Sequence, residues 1–188
     1  MKILILGFGN PGRADDALGP LLIEELERRR AAIEGGAPAA RAAGIQAVDY
    51  DATAGAAQPA SPAVAPAREI DLAWSYELAA DHAYDLSRHD LTIFVDAARR
   101  QAEGVRLRSV RPSRSVTFST HAMTPASVLA LARELYRAKP EVHLLTIRGY
   151  RWGLGEGLSP GAADNLAAAA KLVEGILTCG GTGMPPAG

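Results

Sequence analysis

Lys2-Ile3-Leu4-Ile5-Leu6-Gly7-Phe8-Gly9-Asn10-Pro11-Gly12 is a short apolar run that breaks into a glycine-rich loop. A continuous run of this length bounded by turn residues predicts a fully buried strand entering a tight turn. Beyond the loop, Leu18, Leu21, Leu22 and Leu26 recur at three- and four-residue spacing, with Glu24, Glu25, Glu27 and Arg28 to Arg30 on the other faces. That spacing predicts an amphipathic helix of about 13 residues. Strand, loop and helix together make the opening half of a βαβ unit.

Further along, residues 45–50 and 69–76 are candidate strands, and the Ala/Pro/Gly-rich stretch at about 52–67 reads as a surface insertion between them. A short helix is predicted at about 80–86. Leu91-Thr92-Ile93-Phe94-Val95-Asp96 is a β-branched and aromatic run ending on a carboxylate, a second buried parallel strand. Val105-Arg106-Leu107-Arg108-Ser109-Val110 alternates with period two, as an edge strand with one wet face does. Thr124-Pro125 supplies an N-cap and first-turn pair for a helix carrying Leu129, Leu131, Leu135 and Tyr136. Residues 142–147 form another strand, and Ser159-Pro160 opens a last helix carrying Leu166, Leu172, Val173, Ile176 and Leu177. Alternating strands and helices predict an α/β fold, a three-layer sandwich with a central, mostly parallel sheet flanked by helices. One domain is expected over residues 1–178, followed by a flexible tail at 179–188.

Composition removes several classes of function. The 188 residues are 48% hydrophobic, enough for one sizeable core, and 20 basic against 21 acidic side chains leave a formal charge of −1. Nucleic acid and anionic lipid both call for a clustered positive excess, so neither is an expected partner. No run approaches the roughly 20 apolar residues that span a bilayer, and the N-terminus lacks the long apolar run of a signal peptide. A soluble cytoplasmic protein is expected. Cys179, the only cysteine, lies in the Gly-rich tail, so disulfides and thiolate metal cages within the chain are excluded.

In an open α/β sheet, ligands bind beyond the carboxyl ends of the strands. Asp15 and Asp16 follow the first strand, Asp96 ends the second buried one, and His121 precedes the helix opened by Thr124-Pro125. Oxygen and nitrogen donors of this kind suit a borderline divalent ion such as nickel or zinc, with positions left open for substrate or water. Each residue also has a plainer reading. Either aspartate can sit at the positive end of the following helix, Asp96 can serve a structural polar role, and His121 can be an ordinary loop histidine. His82 and His89, among Asp81, Asp85 and Asp90, read as surface residues, and His143 as a packed or edge residue of a strand. The Gly7, Gly9 and Gly12 spacing matches a dinucleotide fingerprint, but two aspartates stand where a pyrophosphate needs a bare helix N-terminus. No acid ends a second strand about 20 residues on, so no organic cofactor is expected.

Gly7-Phe8-Gly9-Asn10 followed by Asp15-Asp16-Ala17-Leu18-Gly19 resembles the opening of the nickel-iron hydrogenase maturation endopeptidases. The resemblance continues through Phe94-Val95-Asp96-Ala97, Ser119-Thr120-His121, Leu145-Thr146-Ile147 and Gly157-Leu158-Ser159-Pro160, and Ser75-Tyr76-Glu77-Leu78 is similar to a branch with Tyr-Gln-Leu there. It implies a phosphorylase/hydrolase-like α/β sandwich. It also implies a peptidase that releases a C-terminal extension from the hydrogenase large-subunit precursor once nickel has been inserted. By the same resemblance Asp16, Asp96 and His121 are the metal-contacting and catalytic residues, and the nickel is supplied by the substrate. Many members carry Glu where this chain has Asp16. Two alternatives remain: a peptidyl-tRNA hydrolase-like esterase, whose opening also resembles Gly9-Asn10-Pro11-Gly12, and a non-catalytic nickel-dependent binding module for the precursor. The first expects a histidine shortly after the first loop, where this chain has Arg13-Ala14-Asp15-Asp16.

Overall fold

The computed structural model describes residues 1–33, 68–113 and 123–178. The strand expected at 45–50, the insertion at 52–67, His121 and the 179–188 tail lie outside the described residues. Among the described residues five strands form one sheet: β1 (Lys2–Phe8), β2 (Glu69–Ser75), β3 (Leu91–Ala98), β4 (Val105–Ser109) and β5 (Glu141–Arg148). Their spatial order is β2-β1-β3-β5-β4, parallel throughout except for β4, which runs antiparallel to β5 at the edge. Helices α1 (Leu18–Ile33) and α4 (Pro160–Thr178) cover one face, and α2 (His82–Ser87) and α3 (Pro125–Tyr136) the other. The fold is the expected three-layer α/β sandwich.

Burial on both faces explains the unbroken apolar runs of the central strands. In β1, Ile3 and Ile5 enter the core beneath α1 and α4, and Leu4 and Leu6 the core beneath α2 and α3. Ile93 and Val95 of β3 join the first core and Phe94 the second. Edge strand β4 packs Val105 and Leu107 inward and leaves its arginines exposed, as the period-two pattern predicts. Thr124 caps α3 by accepting from the Ser127 N–H, with Pro125 at the start of the helix. Helix α1 runs 16 residues, longer than the leucine stripe alone implies. No helix of the described residues is long and apolar enough to cross a membrane.

β1 has a parallel neighbour on each side. β2 lies on one side of β1 and β3 on the other, so the strand order reverses between β1 and β3. That reversal opens a crevice at the carboxyl ends of these two strands. Close backbone contact fixes its floor: a Cβ added to Gly7 would stand 2.4 Å from the Gly19 carbonyl oxygen, and one added to Gly19 would stand 2.4 Å from that of Phe8. Only glycine permits β1 and the start of α1 to approach so closely.

Candidate functional site

The first loop is shaped by its own polar groups. Asn10 Oδ1 accepts the Gly12 N–H at 2.9 Å, and the Arg13 N–H donates to the Asn10 carbonyl at 3.1 Å. A 3-10 turn, Ala14–Ala17, then intervenes between loop and α1, entered through Ala14 at φ 44°. Gly9 has φ 142°, and a Cβ there would fall 2.1 Å from the Asp16 carbonyl oxygen. The glycines therefore let the loop fold against a turn that carries two carboxylates, which fills the place a pyrophosphate would take.

Asp15 and Asp16 point to different partners. Asp15 is fully buried. Its Oδ2 accepts the Tyr150 N–H at 2.6 Å, the Arg151 N–H at 2.9 Å and the Ser159 hydroxyl at 2.6 Å, while Oδ1 accepts the Ser159 N–H at 2.7 Å. The Asp15 N–H in turn donates to the Arg151 carbonyl at 3.1 Å. Burial pushes the Asp15 pKa up, but these donors outweigh it and hold the carboxyl below its ordinary value. Asp15 thus orients the loop between β5 and α4. Ser159 caps α4 by accepting the Ala162 N–H at 3.3 Å, so one hydroxyl serves both helix and clasp.

Asp16 is partly buried, and its Oδ2 accepts the Asn10 N–H at 3.3 Å. Asp96 stands near the end of β3, opposite Thr146 of β5, and is likewise partly buried. Burial is the main cause that raises the Asp96 pKa to about 7. The nearby Asp16 charge raises it further, against an opposing hydrogen bond from the Ala97 N–H. One carboxylate from the turn after β1 and one from β3 thus act on each other at the crevice. A divalent cation would relieve that repulsion by displacing the Asp96 proton. Among the described residues no third His, Cys, Asp or Glu completes a metal-binding cluster, and His121 lies outside them.

The loop following β3 is tied down by Gln101. Its Nε2 donates to the Thr146 carbonyl at 3.2 Å and the Glu103 carbonyl at 2.9 Å, and its Oε1 accepts the Thr146 hydroxyl at 2.7 Å. Neither this latch nor the Asp15 clasp was foreseeable from spacing, because each joins distant segments. The remaining histidines have structural partners. Contrary to a surface reading, the His82 and His89 side chains are only 12% and 9% exposed. His82 Nδ1 bonds the backbone of Ala79, and His89 bridges the Asp85 carbonyl at 2.6 Å and Asp71 Oδ2 at 2.9 Å. Buried His143 bonds Glu141 at 2.8 Å from within β5.

No protein-family model matches the sequence, and no curated protein matches it. Solved structures do. The NiFe hydrogenase maturation protease HycI from Thermococcus kodakarensis KOD1 is 20% identical, with 94% of this chain and 92% of that chain covered at a TM-score of 0.60. An endopeptidase from Escherichia coli is 19% identical over 96% of this chain and 94% of that one, at 0.56. The hydrogenase maturating endopeptidase HybD from E. coli is 19% identical over 96% and 94%, at 0.53. Identities this low speak for architecture, and across nearly its whole length the chain has the fold of the hydrogenase maturation proteases.

Proposed function

We propose that the protein is an endopeptidase that removes the C-terminal extension of a nickel-iron hydrogenase large-subunit precursor after nickel insertion, with the precursor's nickel as the recognition signal. The observation that carries this reading is the fold of the hydrogenase maturation proteases with Asp16 and Asp96 at the carboxyl ends of the adjacent strands β1 and β3. Asp16, Asp96 and His121 are the residues assigned to grasp the substrate's nickel and so to set the scissile bond beside the site. An open set of two carboxylates and one imidazole binds free metal weakly and gains most from an ion already held by another protein. Asp96 tunes this preference. Near neutrality Asp96 is only partly ionised, and a cation brought close would favour the state in which both carboxylates are ionised. Hydrolysis adds water across one peptide bond, the hydroxyl going to the carbonyl carbon and the proton to the departing amine. A soluble, cytoplasmic enzyme with no organic cofactor fits this role.

Mass spectrometry of the nickel-loaded precursor, before and after incubation, tests the proposal. Wild-type protein should shorten the precursor by its C-terminal extension, the nickel-free precursor should stay intact, and Asp96→Ala protein should leave both uncut. A wild-type protein that binds the loaded precursor without shortening it would be a non-catalytic binding module, and the peptidase reading would fall.

A further inference from the structure

Two arginines stand on the loops that follow β1 and β3. Arg13 lies three residues before Asp16 and Arg99 three residues after Asp96, so the loops following β1 and β3 each bring a guanidinium to the edge of the sheet that holds their carboxylate. Both converge on Trp152. Arg13 Nε donates to the Trp152 carbonyl at 3.0 Å, and the Arg99 guanidinium carbon lies over the Trp152 ring, 4.4 Å from its centroid. The indole is itself seated against Gly149, where an added Cβ would meet it at 3.0 Å. The backbone in between is fixed, because the Tyr150 and Arg151 N–H groups donate to buried Asp15.

Among the described residues neither arginine makes an ion pair. Glu156, on the same loop, folds against Gly153 and pairs with neither. Both arginines are exposed. A guanidinium stacked on an indole keeps a planar fork of donors and loses little further freedom when it binds a carboxylate. We propose that Arg13 and Arg99, mounted on Trp152, form a carboxylate clamp that holds an acidic side chain of the peptide substrate at the end of the sheet where Asp16 and Asp96 stand. The identity of the occupant as a peptide rests on the endopeptidase reading, whereas the clamp rests on the geometry alone. Phosphate also fits a guanidinium fork, but a nucleic-acid strand carries a charge on every nucleotide and would lay its neighbouring phosphates over Asp16 and Asp96. A single carboxylate side chain avoids that repulsion.

The chain has two tryptophans, and Trp74 is an internal control on β2. Isotope-labelled full-length protein is titrated with acetyl-Gly-Glu-Gly-Glu-Gly-amide, with its glutamine counterpart, and with a short RNA oligonucleotide, following both indole N–H resonances. The Trp152 resonance should shift saturably with the glutamate peptide only, and the Trp74 resonance should stay. Arg99→Gln and Arg13→Gln should each weaken that binding by about tenfold or more, with Arg99→Lys recovering only part of it. On the nickel-loaded precursor the same variants should raise KM more than they lower kcat. An equal response to the glutamine peptide, or a stronger one to RNA, would overturn the clamp. A silent Trp152 in protein that still trims the precursor sinks the clamp and leaves the peptidase reading standing. A responsive Trp152 in protein that never trims it sinks the peptidase reading and supports the clamp.

Discussion

The Ser159 hydroxyl donates to Asp15 Oδ2 at 2.6 Å across 144 residues of sequence, joining the first loop of the chain to the start of its last helix. The bond is buried and is one of four converging on a single carboxylate. A carboxylate satisfied in this way holds the β5–α4 loop in place against the strand edge where Asp16 and Asp96 stand.

Asp15→Asn should therefore cost far more than an ordinary isosteric change. The amide turns an –NH2 group toward N–H and O–H donors, leaving at least one buried donor without an acceptor. A loss of about 2–4 kcal/mol is expected in urea unfolding, against about 1–2 kcal/mol for Ser159→Ala, which forfeits the cap and one donor. The sign of the pH dependence follows from the lowered Asp15 pKa. The carboxylate's contribution is fully present above the unfolded-state value and is lost as pH falls through the lower folded value, so the gap between wild type and Asp15→Asn should narrow only in strong acid. A gap that already closes near neutrality would contradict the clasp.

Asp96 has the opposite sign. Its folded pKa of about 7 lies above the ordinary 3.8, so between these limits the folded state binds more protons than the unfolded chain. Stability of the metal-free protein should fall as pH rises from about 4 to 7 and level off above. Asp96→Asn removes the ionisation, and it should be more stable than wild type at pH 8 by roughly 2–4 kcal/mol, with the advantage gone near pH 4. Thermal or urea unfolding at a series of pH values reads this directly, and an Asn variant less stable than wild type at pH 8 would show that the carboxylate is well solvated.

The glycines under the crevice give a steric prediction. Gly19→Ala places a methyl 2.4 Å from the Phe8 carbonyl oxygen, 2.7 Å from the Phe8 nitrogen and 2.9 Å from the Val95 carbonyl oxygen. All three are backbone atoms of β1 and β3, which cannot yield without breaking the sheet. A loss of about 3 kcal/mol or more is expected, or failure to fold, whereas Gly157→Ala, with nothing near the added atom, should be close to neutral. Comparable unfolding midpoints for the two variants would argue against the close approach of β1 and α1.

These particulars mark how far the sequence could be read. Periodicity and burial follow from local residue choice, so β1, β3, the edge strand β4 and the Thr124 cap of α3 were legible one segment at a time. The Asp96 carboxylate at a strand end and the acidic pair after β1 pointed to the crevice because sheet topology brings such ends together. The spatial order of the strands had no local signature. Neither did the division of labour between Asp15 and Asp16, because the donors that claim Asp15 come from Tyr150, Arg151 and Ser159 and the spacing of an acidic pair says nothing about them. The shielded rings of His82 and His89 were misjudged for a related reason: charged neighbours in sequence implied solvent, but their ring nitrogens bond nearby backbone.

The coupling of Asp16 to Asp96 yields the most specific test of the site. Burial is the larger cause of the raised Asp96 pKa and the Asp16 charge adds to it. Asp16→Asn keeps the shape of the side chain and removes the charge, so the Asp96 carboxyl should titrate at a lower pH while remaining above the ordinary 3.8 through burial alone. Carbon-13 NMR of the Asp96 carboxyl in metal-free protein reads the shift without any need for substrate. The same change should weaken the grip on a divalent ion, because one anionic donor is lost, so processing of the precursor should fall even as Asp96 becomes easier to ionise. An Asp96 titration unmoved by Asp16→Asn would place the two carboxylates too far apart to share an ion, and the assignment of both to one nickel-reading site would have to be abandoned.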